Sequence, residues 1–91
     1  MTEIKLKVKK DTEIRKLAGA ISNSFVRDNA DRVTVTSVGT EALSRAVKAV
    51  ATAVVFLRNA EIEVYSIPVF ETLTTEDGRE ITGITHEIYR K

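Results

Sequence analysis

The stretch Val33–Leu57, VTVTSVGTEALSRAVKAVATAVVFL, constrains the fold most, because a strand period runs through one glycine directly into a helix period. Val33 and Val35 alternate with Thr34 and Thr36, the pattern of a half-buried strand. Gly39-Thr40 then supplies a tight turn with Thr40 as N-cap, so the spacing predicts a helix from Glu41 onward. Leu43, Ala46, Val47, Val50, Val54 and Leu57 form one apolar stripe on that helix, and Glu41, Arg45, Lys48 and Thr52 form a polar stripe facing away. A βα unit is the expected result.

The flanking segments repeat the logic. Ile4, Leu6 and Val8 alternate with Lys5, Lys7 and Lys9, predicting a strand with lysines on one face, either solvated or guarding an edge. Lys10-Asp11-Thr12 makes the next turn, with Asp11 or Thr12 as N-cap and Glu13 in the first turn of a helix. Ile14, Leu17, Ala18, Ile21 and Phe25 mark the buried stripe of that helix, which ends near Asp28-Asn29. Gly19 in its interior costs about 1 kcal/mol relative to alanine, and a close backbone approach is expected to compensate.

Ile62–Phe70 reads as a third strand, and Asp77-Gly78 as the turn of a hairpin that returns along Ile81–Arg90. With Ile62 and Val64 facing the helices, Tyr65, Ile67 and Val69 face the open side. A bulge at Pro68 or a partner subunit would resolve that apolar patch. The order βαβαββ implies an α/β fold, an α+β two-layer sandwich with a mixed four-stranded sheet and both helices on one face. Residues 1–91 are expected to form one domain. The second half of the longer helix is apolar almost all round, and Val55 and Phe56 lie off its main stripe. Together with Ile67 and Val69 they are the expected homodimer contact, and Ala42, Ala46, Ala49 and Ala53 form a small-residue seam that would admit another backbone.

Composition excludes several classes. With no cysteine there is neither a disulfide framework nor a thiolate metal site, and no apolar run approaches the ~20 residues of a membrane span. The N-terminus lacks the apolar core of a signal peptide, so a cytoplasmic protein is expected. Fourteen basic against thirteen acidic residues leave a net charge of +1, but the basic ones crowd the first strand and helix, and the acidic ones the hairpin.

Leu17-Ala18-Gly19-Ala20-Ile21, Val38-Gly39 followed by Ala42-Leu43 and Ala46-Val47-Lys48-Ala49-Val50-Ala51, and Ile67-Pro68-Val69-Phe70 resemble the stage V sporulation protein S family, as in a divergent member. The family typically has Gly-Ala-Gly-Ala-Leu-Asn-Gln where this chain has Gly39-Thr40-Glu41-Ala42-Leu43-Ser44-Arg45, and Arg-Gly-aromatic where it has Val54-Val55-Phe56. That resemblance implies a small bacterial protein with an Alba-like fold, similar to the C-terminal domain of translation initiation factor three. It also implies a sporulation-related role and nucleic acid, DNA or RNA, as partner. In Alba-like proteins a basic turn after the first strand and basic hairpin arms grip the duplex; Lys9-Lys10 and Lys16 match the first feature, whereas the hairpin carries Glu71, Glu76, Asp77 and Glu80 against Arg79.

Lys9, Lys10, Arg15, Lys16, Arg45 and Lys48 are therefore the candidate phosphate-binding residues, acting by counterion release and beside the free N–H groups of two helix starts. The plain alternative is a set of solvated faces, with Arg45 paired to Glu41 one turn before it. Without interleaved aromatics, base stacking of single strands is unsupported, and a duplex or structured RNA held by shape and charge is expected. His86, in parity with Ile84 and Ile88, reads as a satisfied sheet histidine, and Tyr65 and Tyr89 as packing residues. No catalytic residue, metal ligand, cofactor or small-molecule substrate is expected, which makes this a non-enzymatic protein, the rival reading being a protein-interaction or oligomerisation module.

Overall fold

Both strand–helix–strand crossovers close as the periodicity predicts. The computed structural model describes residues 2–91, in the order β1 (Glu3–Val8), α1 (Ile14–Val26), β2 (Arg32–Ser37), α2 (Thr40–Asn59), β3 (Val64–Thr74) and β4 (Glu80–Arg90). β1 runs parallel to β2, while β4 is antiparallel to both β2 and β3 and lies between them, giving the order β1-β2-β4-β3. β2 and β3 are thus parallel but not neighbours. The result is the two-layer α+β sandwich with a mixed sheet that the element order required.

The core lies between the sheet and the helices. Leu17, Ala18, Ile21 and Phe25 of α1 meet Ala42, Ala46, Ala49, Ala53 and Leu57 of α2 over Val8, Val33, Val35, Val64 and Ile88. The alanine seam is therefore consumed inside the chain, against its own helix and sheet. Small side chains let these layers approach closely, and α2 rolls so that Val47 is left 48% exposed, with Leu43 and Val54 half-buried. Arg90 closes one end, its Nη2 donating to the Phe25 carbonyl at 2.8 Å and its guanidinium lying 5.7 Å from the Phe25 ring centre.

Local chemistry shifts several boundaries. Glu13, not Asp11 or Thr12, is the N-cap of α1, because the Thr12 hydroxyl is used by the preceding turn, where it accepts from the Lys9 N–H at 2.8 Å. α1 stops at Val26, short of Asp28-Asn29, and Asn29 turns the chain at φ +52°. Gly39, at φ +90° and ψ 158°, is the N-cap of α2, so Thr40 is already helical. α2 then runs on to Asn59 and closes in a Schellman turn, with Ile62 N–H donating to the Leu57 carbonyl and Glu61 N–H to that of Arg58. That turn takes up Glu61, at φ +61°, and Ile62, and β3 starts at Val64 after Glu63, whose carbonyl accepts from the Lys91 N–H at 2.9 Å.

Two expectations about special residues fail. β3 and β4 stay in unbroken register from Val64 opposite Arg90 to Thr74 opposite Glu80, so Pro68 makes no bulge. It is tolerated because β3 is an edge strand, where a missing N–H costs no ladder bond. Gly19 has no close neighbour either: a Cβ there would meet nothing within 4 Å. The close approach is at Gly83 instead, where a Cβ would sit 2.7 Å from the Ser37 carbonyl oxygen and 3.0 Å from Val38 Cγ2.

Candidate nucleic-acid interface

Because both helices run back from the ends of parallel strands, the β1–α1 turn and the starts of α1 and α2 lie at one end of the molecule. Arg45 ties them together, its Nη1 donating to the Thr12 carbonyl at 3.0 Å, so this arginine buttresses the first turn rather than pairing with Glu41. Beside it, a shallow depression of about 300 Å³ is lined by Ile14, Glu41, Ser44, Arg45 and Lys48. A second, of about 370 Å³, brings Lys10 against Val38, Gly39, Thr40, Glu41 and Ala42. Lys9, Arg15 and Lys16 are exposed on the adjoining turn and first helical turn.

Carboxylates dilute this rim. Lys16 Nζ lies 3.3 Å from Glu13 Oε2, a solvent-exposed pair of small energetic value, and Glu41 borders both depressions. With Asp11 on the turn, six cations face three acids, and an anion at this end still meets excess positive charge.

The hairpin tip is the electrical opposite. Thr75 and Arg79 close a three-residue loop with Gly78 at φ +85°, and the Thr75 hydroxyl donates to Asp77. That hydroxyl, followed by the Arg79 N–H, holds the Asp77 carboxyl below its ordinary range. Arg79 Nε in turn donates to Asp77 Oδ2 at 2.9 Å, which engages the base at the hairpin tip and leaves Glu76 and Glu80 without an ion pair among the described residues.

The open face of the sheet carries a network that strand-by-strand reading missed. Arg32 bridges Glu3 (Nη1 to Oε2, 3.0 Å) and Glu87 (Nη2 to Oε2, 2.7 Å), and the Tyr89 hydroxyl donates to Glu87 Oε1 at 2.9 Å. The Glu87 contact raises the Tyr89 phenol above its ordinary pKa and keeps it protonated. Tyr65 stacks on Tyr89 with ring centres 5.4 Å apart and planes 25° from parallel. The signal for this pair lies in register alone: Tyr65 and Tyr89 are 24 positions apart in the chain but directly opposite across β3 and β4. The Thr36 and Thr85 hydroxyls both reach Glu71 Oε2, at 3.2 and 2.6 Å, in a depression of about 450 Å³ that also meets Lys5, Lys7 and Val69.

His86 sits on the helix side of β4 between Val35 and Pro68. It is buried, yet its Nδ1 finds no partner among the described residues, so it is not the satisfied histidine expected from parity. Burial lowers its pKa from the ordinary 6.5. Of the residues expected at a dimer contact, Val55 and Phe56 are exposed on α2, whereas Ile67 is exposed and Val69 half-buried on the opposite face of the sheet.

The profile of the family described as stage V sporulation protein S (SpoVS) matches residues 4–91, almost the whole chain just described. The chain belongs to the SpoVS family. Among solved structures, Alba from Thermoplasma volcanium is similar with a TM-score of 0.55 and 19% identity, over 96% of this chain and 98% of that one. At that identity the likeness is one of fold, and it makes this SpoVS protein Alba-like in architecture. No curated protein matches it. Among the described residues, no helix is long and apolar enough to cross a membrane, and no group of three His, Cys, Asp or Glu side chains is placed to hold a metal ion.

Proposed function

We propose that this SpoVS protein is a non-catalytic nucleic-acid-binding protein, a single domain acting in the cytoplasm in a sporulation-related role. It holds a duplex or structured RNA by its phosphates without reading sequence, through Lys9, Lys10, Arg15, Lys16, Arg45 and Lys48. The observation that carries this reading is the convergence of the β1–α1 turn with both helix starts, bound by the Arg45–Thr12 contact. Cations on rigid elements around two helix N-termini favour phosphate, the ligand class that the family resemblance of the sequence implies.

A mobility-shift titration of duplex DNA at two salt concentrations tests it. If all six cations touch phosphate, affinity falls by about 10³ between roughly 50 and 200 mM salt. The double variant Lys9→Glu/Lys10→Glu abolishes the shift. Absence of any shift at low salt sinks the reading.

The protein also acts as a homodimer in this proposal. Support comes from β3, whose free edge is apolar on both faces, with Ile67 exposed on one and Phe70, 82% exposed, on the other. Since Val55 and Phe56 lie on the helix side and Ile67 and Val69 on the open side, a contact holding all four wraps that edge. The rival module that binds only protein draws on the same edge, and is what remains if no nucleic acid shifts.

A further inference from the structure

The open face of the sheet is not used by the rim, and its residues fall into rows set by the register. Arg32 lies opposite Tyr89 and Tyr89 opposite Tyr65; Lys5 lies opposite Thr34, and Lys7 opposite Thr36. The face therefore grades from lysines on β1 to a stacked tyrosine pair on β4 and β3; the Tyr65 row ends on β1 at Glu3, so Lys5 and Lys7, two and four residues further along, lie about 16 and 20 Å from Tyr65 at ~4.8 Å per strand and ~3.4 Å per residue. Tyr89 covers one side of Tyr65 and fixes it, while Tyr65 remains 44% exposed. Its outer ring face is a preset stacking platform.

The carboxylates on this face are already engaged. Arg32 holds both Glu3 and Glu87, and Glu71 Oε2 accepts from two threonine hydroxyls. Lys5 is 3.9 Å from a Glu3 that Arg32 holds more closely, and Lys7 forms no ion pair among the described residues. Across the face three cations balance three carboxylates, and the positive charge is local to β1, where Lys5 and Lys7 outnumber Glu3. A ligand that fits offers an exposed aromatic plane at one end and anionic groups about 16 to 20 Å away, with polar edges between them for Thr34 and Thr36.

We propose that this face binds a short single-stranded nucleic acid, one base stacked on Tyr65 and its phosphates on Lys5 and Lys7, at a surface separate from the rim. A duplex cannot use it, since its bases stack on one another, whereas an unpaired strand presents both base planes and backbone. The site goes beyond the duplex reading, and its failure is separable because different residues carry it.

The chain has two tyrosines and no tryptophan, and both tyrosines lie in the proposed site, so intrinsic tyrosine emission reads it directly. Titration with an oligothymidylate of about eight nucleotides at low salt is expected to quench that emission saturably. By anisotropy of the labelled strand, Tyr65→Ala weakens binding by about tenfold or more, while Tyr65→Phe, which keeps the ring, stays within about twofold. Lys5→Glu/Lys7→Glu also loses the strand, and Lys9→Glu/Lys10→Glu keeps it while losing the duplex. Unquenched emission, equal affinity for Tyr65→Ala, or loss in the Lys9/Lys10 variant instead overturns the proposal. So does concentration-dependent shielding of Tyr65 from acrylamide, which would give the face to a second copy of the chain.

Discussion

The half of the sheet under the helices and the β3–β4 hairpin that reaches past them obey different physics, and two phenylalanines show it. Phe25 is 1% exposed, packed on the core and capped by the Arg90 guanidinium; Phe70, in the hairpin, is 82% exposed. In the covered half, apolar burial sets side-chain identity. In the hairpin the ladder fixes the backbone and leaves the side chains to partners, which is where an exposed aromatic and an acidic tip can persist.

The comparison breaks most readily at those two rings. Phe25→Ala is expected to cost about 3–5 kcal/mol in chemical denaturation, whereas Phe70→Ala stays within about 0.5 kcal/mol in the isolated chain. Similar losses at both sites would mean that the hairpin is packed like the core. Next is the junction where the two halves meet. Gly83→Ala pushes a Cβ onto the rigid Ser37 carbonyl, and a loss of about 1–3 kcal/mol is expected, seen as a lower melting temperature. Gly19→Ala, on the outer side of α1, works in the opposite direction and adds up to about 1 kcal/mol, since nothing within 4 Å resists the methyl group.

The smallest effect sharpens the boundary itself. His86 has a lowered pKa in the fold, so below its ordinary 6.5 the unfolded chain takes up a proton that the folded chain resists. Stability present above pH 6.5 therefore declines as pH falls through that value, and levels off below the folded pKa. Melting curves from pH 7.5 to 5 should show this slope, and His86→Gln should flatten it.

How much was legible beforehand follows the range of each signal. The α1 stripe of Leu17, Ala18, Ile21 and Phe25 is buried as its spacing predicted, because a helix repeats its own surface every few residues whatever lies opposite. α2 is apolar on more than one side, so the stripe read through Leu43, Val47 and Val54 took the wrong roll, and the alanines rather than Val47 took the core. The rim residues were readable as a basic group, but Arg45's hold on Thr12 was not. The Tyr65–Tyr89 pair and its Arg32 support were invisible, since no spacing within a strand encodes its neighbour.

The sequence alone determined the element order, the parallel sense of both crossovers and the charge split between turn and hairpin, all properties of short stretches and of chain connectivity. Only the tertiary structure decided that β4 enters between β2 and β3, that Pro68 sits on a free edge without a bulge, and which residues become neighbours across the open face. Alternation tells a strand which side to bury. Which strand lies beside it is settled by the packing of the whole layer.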